Sequence, residues 1–326
     1  MIEIDCSEGE GGGQIIRTAL TLSSITQKPI RLFNIRAKRP NPGLAAQHLT
    51  CARSVRKICR GQLEHDELGS TDLIFYPGKI VGGKYDFNIG TAGSVTLVAQ
   101  TVIPILLFAD KPSEIKIIGG THVMKSPGYD YFEHVFIPAI NSIGAKVSSK
   151  LIKSGFYPSG GGEISITIAP STLSSKTTWE SAAQTRAIIR LSNIPLLVAI
   201  REKKIFLNNN ITWVNVIEEK TRDPANSVTV FNGFRGSYVL GEKGKRAEVV
   251  AQESVNELNH ESQVDKHLAD QILLYLCLAS GNSSFSTSQI TDHFKSNGSI
   301  IQKFLDKTID FSDNLVRISC EIRHGS

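Results

Sequence analysis

The sequence predicts an α/β (α+β) fold made of related units. Three observations carry this. Apolar residues switch repeatedly between a period of two and a period near 3.6, so strands alternate with helices. A strand–helix–strand–helix–strand–strand pattern recurs at intervals of about eighty residues, the mark of an internal repeat. The chain has 326 residues, 40% of them hydrophobic and 21% charged, which suits a globular protein with a sizeable core.

The first unit opens on a weak strand at 3–6. Glu8-Gly9-Glu10-Gly11-Gly12-Gly13-Gln14 follows, and then Ile15, Ile16, Ala19, Leu20 and Leu22 recur at helical spacing. Glycines let a backbone approach an anion closely, and a helix start offers free N–H groups. The run matches neither GxxxxGK[ST] nor GxGxxG, so it reads equally as a phosphate cradle or as a tight turn. A strand is expected at 29–35. Arg36-Ala37-Lys38-Arg39-Pro40-Asn41-Pro42-Gly43-Leu44 then precedes a helix at about 45–59. Three cations in four residues either clamp phosphates or form a solvated basic turn. Gln47 and His48 fall on the first turn of that helix. Short strands near 63–67 and 72–76 complete the unit.

The second unit repeats the pattern. A strand at 84–89 leads through Gly90-Thr91-Ala92-Gly93-Ser94 into a helix at 94–108. A strand at 114–119, a helix at about 130–143 and strands at 146–153 and 161–168 follow, with Ser159-Gly160-Gly161-Gly162 as the last turn. The third unit is expected to be split. Its first strand would lie at 163–168, and its helix only at about 265–279. Strand 283–287, a loop carrying His293, a helix near 298–307 and strand 315–321 follow. Between them lies an insert at 178–262, with strands expected at 185–191, 194–200 and 227–233 and a helix at 246–259. Asn208-Asn209-Asn210 and Arg222-Asp223-Pro224 are its loops.

Composition excludes some classes. The longest apolar run, Val95 to Ala109, is broken by Gln100, Thr101 and Pro104 and is too short to span a bilayer. The N-terminus lacks a basic flank and long apolar stretch, so a cytoplasmic location is the expectation. Cys6, Cys51, Cys59, Cys277 and Cys320 form no CxxC pair, which argues for reduced thiols rather than a zinc site. A formal charge of +5 permits a polyanionic partner without requiring one.

Taken together, Glu10-Gly11-Gly12-Gly13-Gln14-Ile15-Ile16-Arg17, the Arg36–Leu44 segment, Gln47-His48-Leu49, Gly90–Ser94, Gln100-Thr101, Gly155-Phe156-Tyr157-Pro158-Ser159-Gly160-Gly161-Gly162 and Leu268-Ala269-Asp270-Gln271 resemble RNA 3′-terminal phosphate cyclases. The motifs run in family order over essentially the whole chain. The resemblance implies three α/β units around a pseudo-threefold axis, forming a large catalytic domain from 1–177 and 263–326, with a small α/β domain inserted at 178–262. It also implies a reaction. A histidine attacks the α-phosphate of ATP, releasing pyrophosphate and leaving histidyl-AMP. AMP moves to an RNA 3′-phosphate, and the 2′-hydroxyl closes a 2′,3′-cyclic phosphate. A divalent metal, Mg or Mn, assists.

Carried over by position, the resemblance makes His293 the nucleophile, followed here by Phe294, Lys295, Ser296 and Asn297. Glu10 matches the residue associated with the metal. Arg17 and Arg39 match catalytic cations. Arg36, Gln47 and His48 join them at phosphates or at the RNA end. Gln100, Asp270 and Gln271 match residues of the nucleotide site, Pro127 a residue that packs on adenine, and Tyr131 a nearby aromatic. His267 stands where relatives can carry a Tyr against the adenine, and an imidazole also stacks on a base over a smaller area. His122 departs from the pattern without an account at this level. His65, His134, His260 and His324 read as surface or packing residues. The implied partner is RNA with a 3′-terminal phosphate, with no membrane; single chain or homo-oligomer is left open.

Two other readings compete. Cyclase-like proteins of ribosome assembly share the fold, bind RNA and do not cyclise it. The combination of His293 with Glu10, Arg17, Arg39 and Asp270 argues against them. An enolpyruvyl transferase shares only the repeating unit and is a longer, two-lobed chain.

Overall fold

The computed structural model describes residues 1–8 and 12–320, with the side chain of Cys320 excepted. Its first sheet comes from β1 (Ile2–Asp5), α1 (Gly13–Thr26), β2 (Ile30–Phe33), α2 (Ala46–Cys59), β3 (Gln62–Glu64) and β4 (Leu73–Tyr76). The strand order is β1-β2-β4-β3, with β1 parallel to β2 and the other pairs antiparallel. The parallel pair needs a crossover, and α1 supplies it. β5 (Lys84–Asn88), α3 (Val95–Leu106) and β6 (Ser113–Gly119) begin the second sheet. They lead to α4 (Tyr129–Tyr131), a wider π turn at Phe132–Phe136 and α5 (Ile137–Asn141), then β7 (Lys146–Lys153) and β8 (Gly162–Ala169). The order β5-β6-β8-β7 and the parallel β5–β6 pair reproduce the first sheet. In the π turn the Ile137 N–H reaches the Phe132 carbonyl. Pro138, the next residue, has no N–H to give to the i−4 carbonyl, so the wider turn sits where the regular ladder is already broken.

A different sheet follows. It comprises β9 (Arg186–Ser192), α6 (Leu197–Asn208), β10 (Trp213–Glu219), β11 (Ala225–Asn232), β12 (Arg235–Leu240) and α7 (Ala247–Leu258), in strand order β10-β9-β11-β12. Alternation sorts its two faces. Ala187, Ile189, Leu191, Val228 and Val230 join Phe206, Val250 and Val255 in a separate apolar cluster under α6 and α7. Ile188 and Phe231 point the other way, into the main core. Arg190 shares that second face. Its Nε and Nη2 donate to the two carboxylate oxygens of buried Asp130 at 2.7 and 2.8 Å. His122 faces the same carboxylate at 3.1 Å and stacks on Phe156 at 5.3 Å. This explains the unusual histidine: it belongs to a buried polar joint between α4 and the β9 sheet.

The last elements are α8 (Lys266–Leu278), β13 (Ser283–Ser286), α9 (Asp292–Gln302), β14 (Lys307–Ser312) and β15 (Leu315–Cys320), in strand order β13-β15-β14. α1 packs on α2, α3 and α9, and α8 packs on α9, so helices from the different sheets meet in one core. Among the described residues, no helix is long and apolar enough to cross a membrane.

Several expected elements differ. Residues 163–168 do not start a third sheet, because β8 fills the gap between β6 and β7. The segment beside β13 is instead 174–176: Ser174 bridges Ser280, and the Ser284 N–H donates to the Lys176 carbonyl at 3.1 Å. Within 194–200, where a strand is expected, α6 begins at Leu197, and β10, β12 and β14 lie where no strand is expected. His293 lies on α9, not in a loop before it.

Candidate active site

One cavity of about 960 Å³ gathers the motifs. That volume suits a small-molecule or nucleotide site. α1 brings the first wall. Gly12 caps α1 with no side-chain hydrogen bond, so the helix start presents backbone N–H groups to the cavity. Gly13 is required for space. A Cβ on Gly13 would collide with the ring of His48 on α2. A Cβ on Gly12 would lie 3.5 Å from Arg39 Nη2 and 3.6 Å from His293 Cε1. Gly12, Arg39 of the basic loop and His293 therefore converge at one helix start.

His293 sits on the first turn of α9. Thr291 caps that helix, accepting from the Phe294 N–H at 3.1 Å. Asp270, one turn into α8, lies in the same wall. It accepts from Gln14 Nε2 at 2.6 Å and from Asn297 Nδ2 at 3.1 Å, while Asn297 Oδ1 accepts from Thr18 at 2.7 Å. Burial raises the Asp270 pKa; His293, the Gln14 hydrogen bond and Arg17 oppose the rise without cancelling it. Burial also lowers the pKa of Arg17, partly offset by Asp270, and a guanidinium still keeps its charge. His48 is pushed down to about 3, chiefly by burial and then by Arg17 and Arg36. It is a neutral imidazole at neutral pH, and its Nδ1 has no hydrogen-bond partner among the described residues. Arg36 has a left-handed backbone (φ 53°) and uses Nη1 to close its own loop on the Gly43 carbonyl at 2.8 Å.

The nucleotide-type residues line the rest. Gln100 donates to Gln271 at 2.7 Å, tying α3 to α8. The Pro127 carbonyl accepts from Thr96 at 2.7 Å. Tyr131 is 2% exposed and commits its hydroxyl to Asp265 at 2.9 Å, so it serves as wall rather than donor. His267 is half exposed and lies 3.1 Å from Glu257. Burial lowers its pKa, but Glu257 and Asp265 outweigh that and raise it overall. Gln47 accepts from the Ser94 N–H at 2.8 Å and ties the Gly90–Ser94 loop to the cavity.

Of the expected site residues, Arg17, Arg36, Arg39, Gln47, His48, Gln100, Pro127, Tyr131, His267, Asp270, Gln271 and His293 all line this cavity. Glu10 lies outside the described residues. A family model for RNA 3′-terminal phosphate cyclase matches residues 8–311. The chain belongs to that family. RNA 3′-terminal phosphate cyclases are 40% identical in Archaeoglobus fulgidus, over 98% of this chain and all of the relative. They are 42% identical in Sulfurisphaera tokodaii, over 96% of each chain, and 38% in Methanococcoides burtonii, over 98% of this chain and all of the relative. The protein is an enzyme of this type. A crystal structure of the enolpyruvyl transferase NikO from Streptomyces tendae aligns at 12% identity and a TM-score of 0.24. It covers 98% of this chain and 51% of that one, and at that score it carries no argument.

Some cavity residues of the cyclase have no role assigned from sequence. Gln14 and Asn297 hold Asp270 and Thr18 holds Asn297, roles visible only once α1, α8 and α9 are packed together. Tyr238, Leu240, Glu242 and Lys245, from β12 and the segment after it, complete the far wall with Lys125 and Lys266. Asp130, Glu133 and His134 lie close enough to hold an ion. Arg190 and His122 already occupy Asp130, however, and His134 stacks flat on Phe231 at 4.9 Å. The group is structural.

Proposed function

We propose that the enzyme converts an RNA 3′-phosphate to a 2′,3′-cyclic phosphate through histidyl-AMP. The observation that carries this is the approach of His293, Arg39 and the open start of α1 around Gly12. A nucleophile, a cation and free backbone donors share one point, as attack on a phosphate requires.

In the first step an imidazole nitrogen of His293 attacks the α-phosphorus of ATP. The N–P bond forms, the bond to the bridging oxygen breaks, and pyrophosphate leaves. Charge growing on the phosphoryl oxygens meets Arg17, Arg39 and the N–H groups of α1. Positive charge growing on the imidazole faces the Asp270 carboxylate. In the second step an oxygen of the RNA 3′-phosphate attacks the same phosphorus. The N–P bond breaks and an RNA-(3′)pp(5′)A intermediate forms. In the third step the 2′-hydroxyl attacks the 3′-phosphorus, loses its proton, and AMP departs. Adenylation supplies the leaving group that a bare phosphate lacks.

The nucleotide rests between Pro127 and His267, with Gln100, Tyr131, Asp270 and Gln271 around it. Arg36, Gln47 and His48 serve the phosphates or the RNA end. A divalent metal, Mg or Mn, would neutralise phosphate charge when bound. A site of that kind needs only one or two carboxylates beside substrate phosphates, which fits the resemblance's choice of Glu10. The matching order of the first two sheets and of β13-β15-β14 supports three repeats about a pseudo-threefold axis. The separate apolar cluster under α6 and α7 supports a small domain inserted at 178–262.

The reading is tested by incubating the enzyme with ATP, a divalent metal and an RNA ending in a 3′-phosphate. It expects a cyclic phosphate end, with AMP and pyrophosphate released in equal amounts. An RNA recovered with its 3′-phosphate intact contradicts it.

A further inference from the structure

We propose that the turn at 155–161 is a stacking platform for the nucleotides upstream of the RNA 3′ end, with Tyr157 as the base-contacting side chain. This rests on the cyclase reading for the identity of the polymer.

Nearly every part of the turn is tied down. The Gly155 carbonyl accepts from Thr121 N–H at 2.8 Å, and the Gly155 N–H donates to Thr121 Oγ1 at 3.0 Å. Phe156 is buried against His122, and its carbonyl accepts from the Gly160 N–H at 2.6 Å. Ser159 gives both its N–H and its hydroxyl to Asp223, at 3.0 and 2.9 Å. Gly160 and Gly161 both take left-handed backbones, φ 64° and 69°, where other residues are strained. The ring of Tyr157 is the exception. It is 65% exposed, and its hydroxyl has no hydrogen bond among the described residues. A fixed backbone presenting an exposed aromatic costs little entropy on binding.

Position and charge select the occupant. A Cβ on Gly160 would touch Thr91 and Ala92. The Gly90–Ser94 loop is the one that Gln47 bonds from the cavity. The turn that carries Tyr157 therefore packs on the loop that Gln47, a cavity residue, holds. On one flank, Phe156 bridges His122 in parallel, and the chain beyond His122 leads to exposed Met124 and Lys125 on the cavity rim. On the other flank, Asp223 holds Ser159, and its neighbour Arg222 is exposed. An exposed aromatic on a fixed turn, held by segments that each carry an exposed cation, fits single-stranded nucleic acid, whose bases stack while its backbone is neutralised.

The test compares Tyr157→Ala, Tyr157→Trp and Arg222→Ala with the wild type. Binding is read by fluorescence anisotropy on a 20-nucleotide RNA and on a dinucleotide, both ending in a 3′-phosphate. Adenylation by α-labelled ATP is read in parallel. Tyr157→Ala is expected to weaken binding of the long RNA about tenfold, leaving dinucleotide binding and adenylation unchanged. Tyr157→Trp should retain binding, and Arg222→Ala should shallow the salt dependence. Equal binding of the long RNA by wild type and Tyr157→Ala overturns the platform, as does an equal loss for long and short RNA. If the wild type binds the long RNA through Tyr157 yet forms no cyclic product, the platform stands and the cyclase reading falls.

Discussion

Gly13 sets the room available to His48. Any side chain at 13 would meet the imidazole ring, and a collision within a packed wall is relieved only by moving the ring or the start of α1. Gly13→Ala should therefore lower cyclisation at least tenfold while the protein stays folded, as α1 gains a better helix former. Circular dichroism beside a cyclisation assay checks this; full activity in the variant would show that the two groups yield easily. Burial, with Arg17 and Arg36 nearby, keeps His48 neutral. The glycines and the basic loop stand out in the sequence as patterns, whereas His293 is marked by the resemblance alone. What they hold was not. Asp270 is fixed by Gln14, Asn297 and, through Asn297, Thr18, and those partners lie up to 279 positions apart. Local pattern carries no information about such pairs.

Asp265 controls an element. Its carboxylate caps α8 through the His267 and Leu268 N–H groups, at 2.8 and 2.9 Å, and also accepts from Tyr131 and the Gly236 N–H, both at 2.9 Å. One side chain thus orients α8, which carries His267, Asp270 and Gln271, against α4 and β12. Asp265→Ala should destabilise the protein by roughly 3 kcal/mol, more than an ordinary cap, because it leaves several buried donors unpaired. Urea unfolding checks this, and a cost below about 1 kcal/mol would reduce Asp265 to a simple cap. Elements whose own periodicity is strong, such as α2, α3, α7 and α8, were legible within a residue or two. Others were overridden by packing. The helix expected near 298–307 begins earlier, because Thr291 caps it, and it runs through Gly298, packed near Leu273 and Ile309. Residues 194–200 are apolar and partly β-branched, which reads as a strand; in the helix they form, Leu197 and Ile200 are exposed. Exposed apolar residues are the case in which a burial pattern misleads.

At the scale of the whole molecule, two apolar clusters meet across Arg190, Asp130 and His122. The smaller one holds a buried acid. Glu202 is fully buried, accepts from Asn226 at 3.2 Å, and has its other oxygen unpartnered among the described residues. Burial pushes its pKa up to about 8 from an ordinary 4.5. The folded state therefore favours the protonated acid. That contribution is full below pH 4.5 and is lost as pH rises towards 8. Glu202→Gln, which keeps the shape and removes the titration, should match the wild-type Tm at pH 4.5 and exceed it at pH 8. Parallel Tm curves over that range would mean that Glu202 keeps an ordinary pKa.

The central claim is that His293 becomes adenylylated at the meeting point of α1, α8 and α9. The most direct measurement incubates wild type and His293→Ala with ATP labelled at the α-phosphate and a divalent metal, then denatures both. The account predicts an acid-labile label on the wild type alone, discharged by RNA bearing a 3′-phosphate. Equal labelling of His293→Ala, or no label on folded wild type that binds ATP, would contradict it.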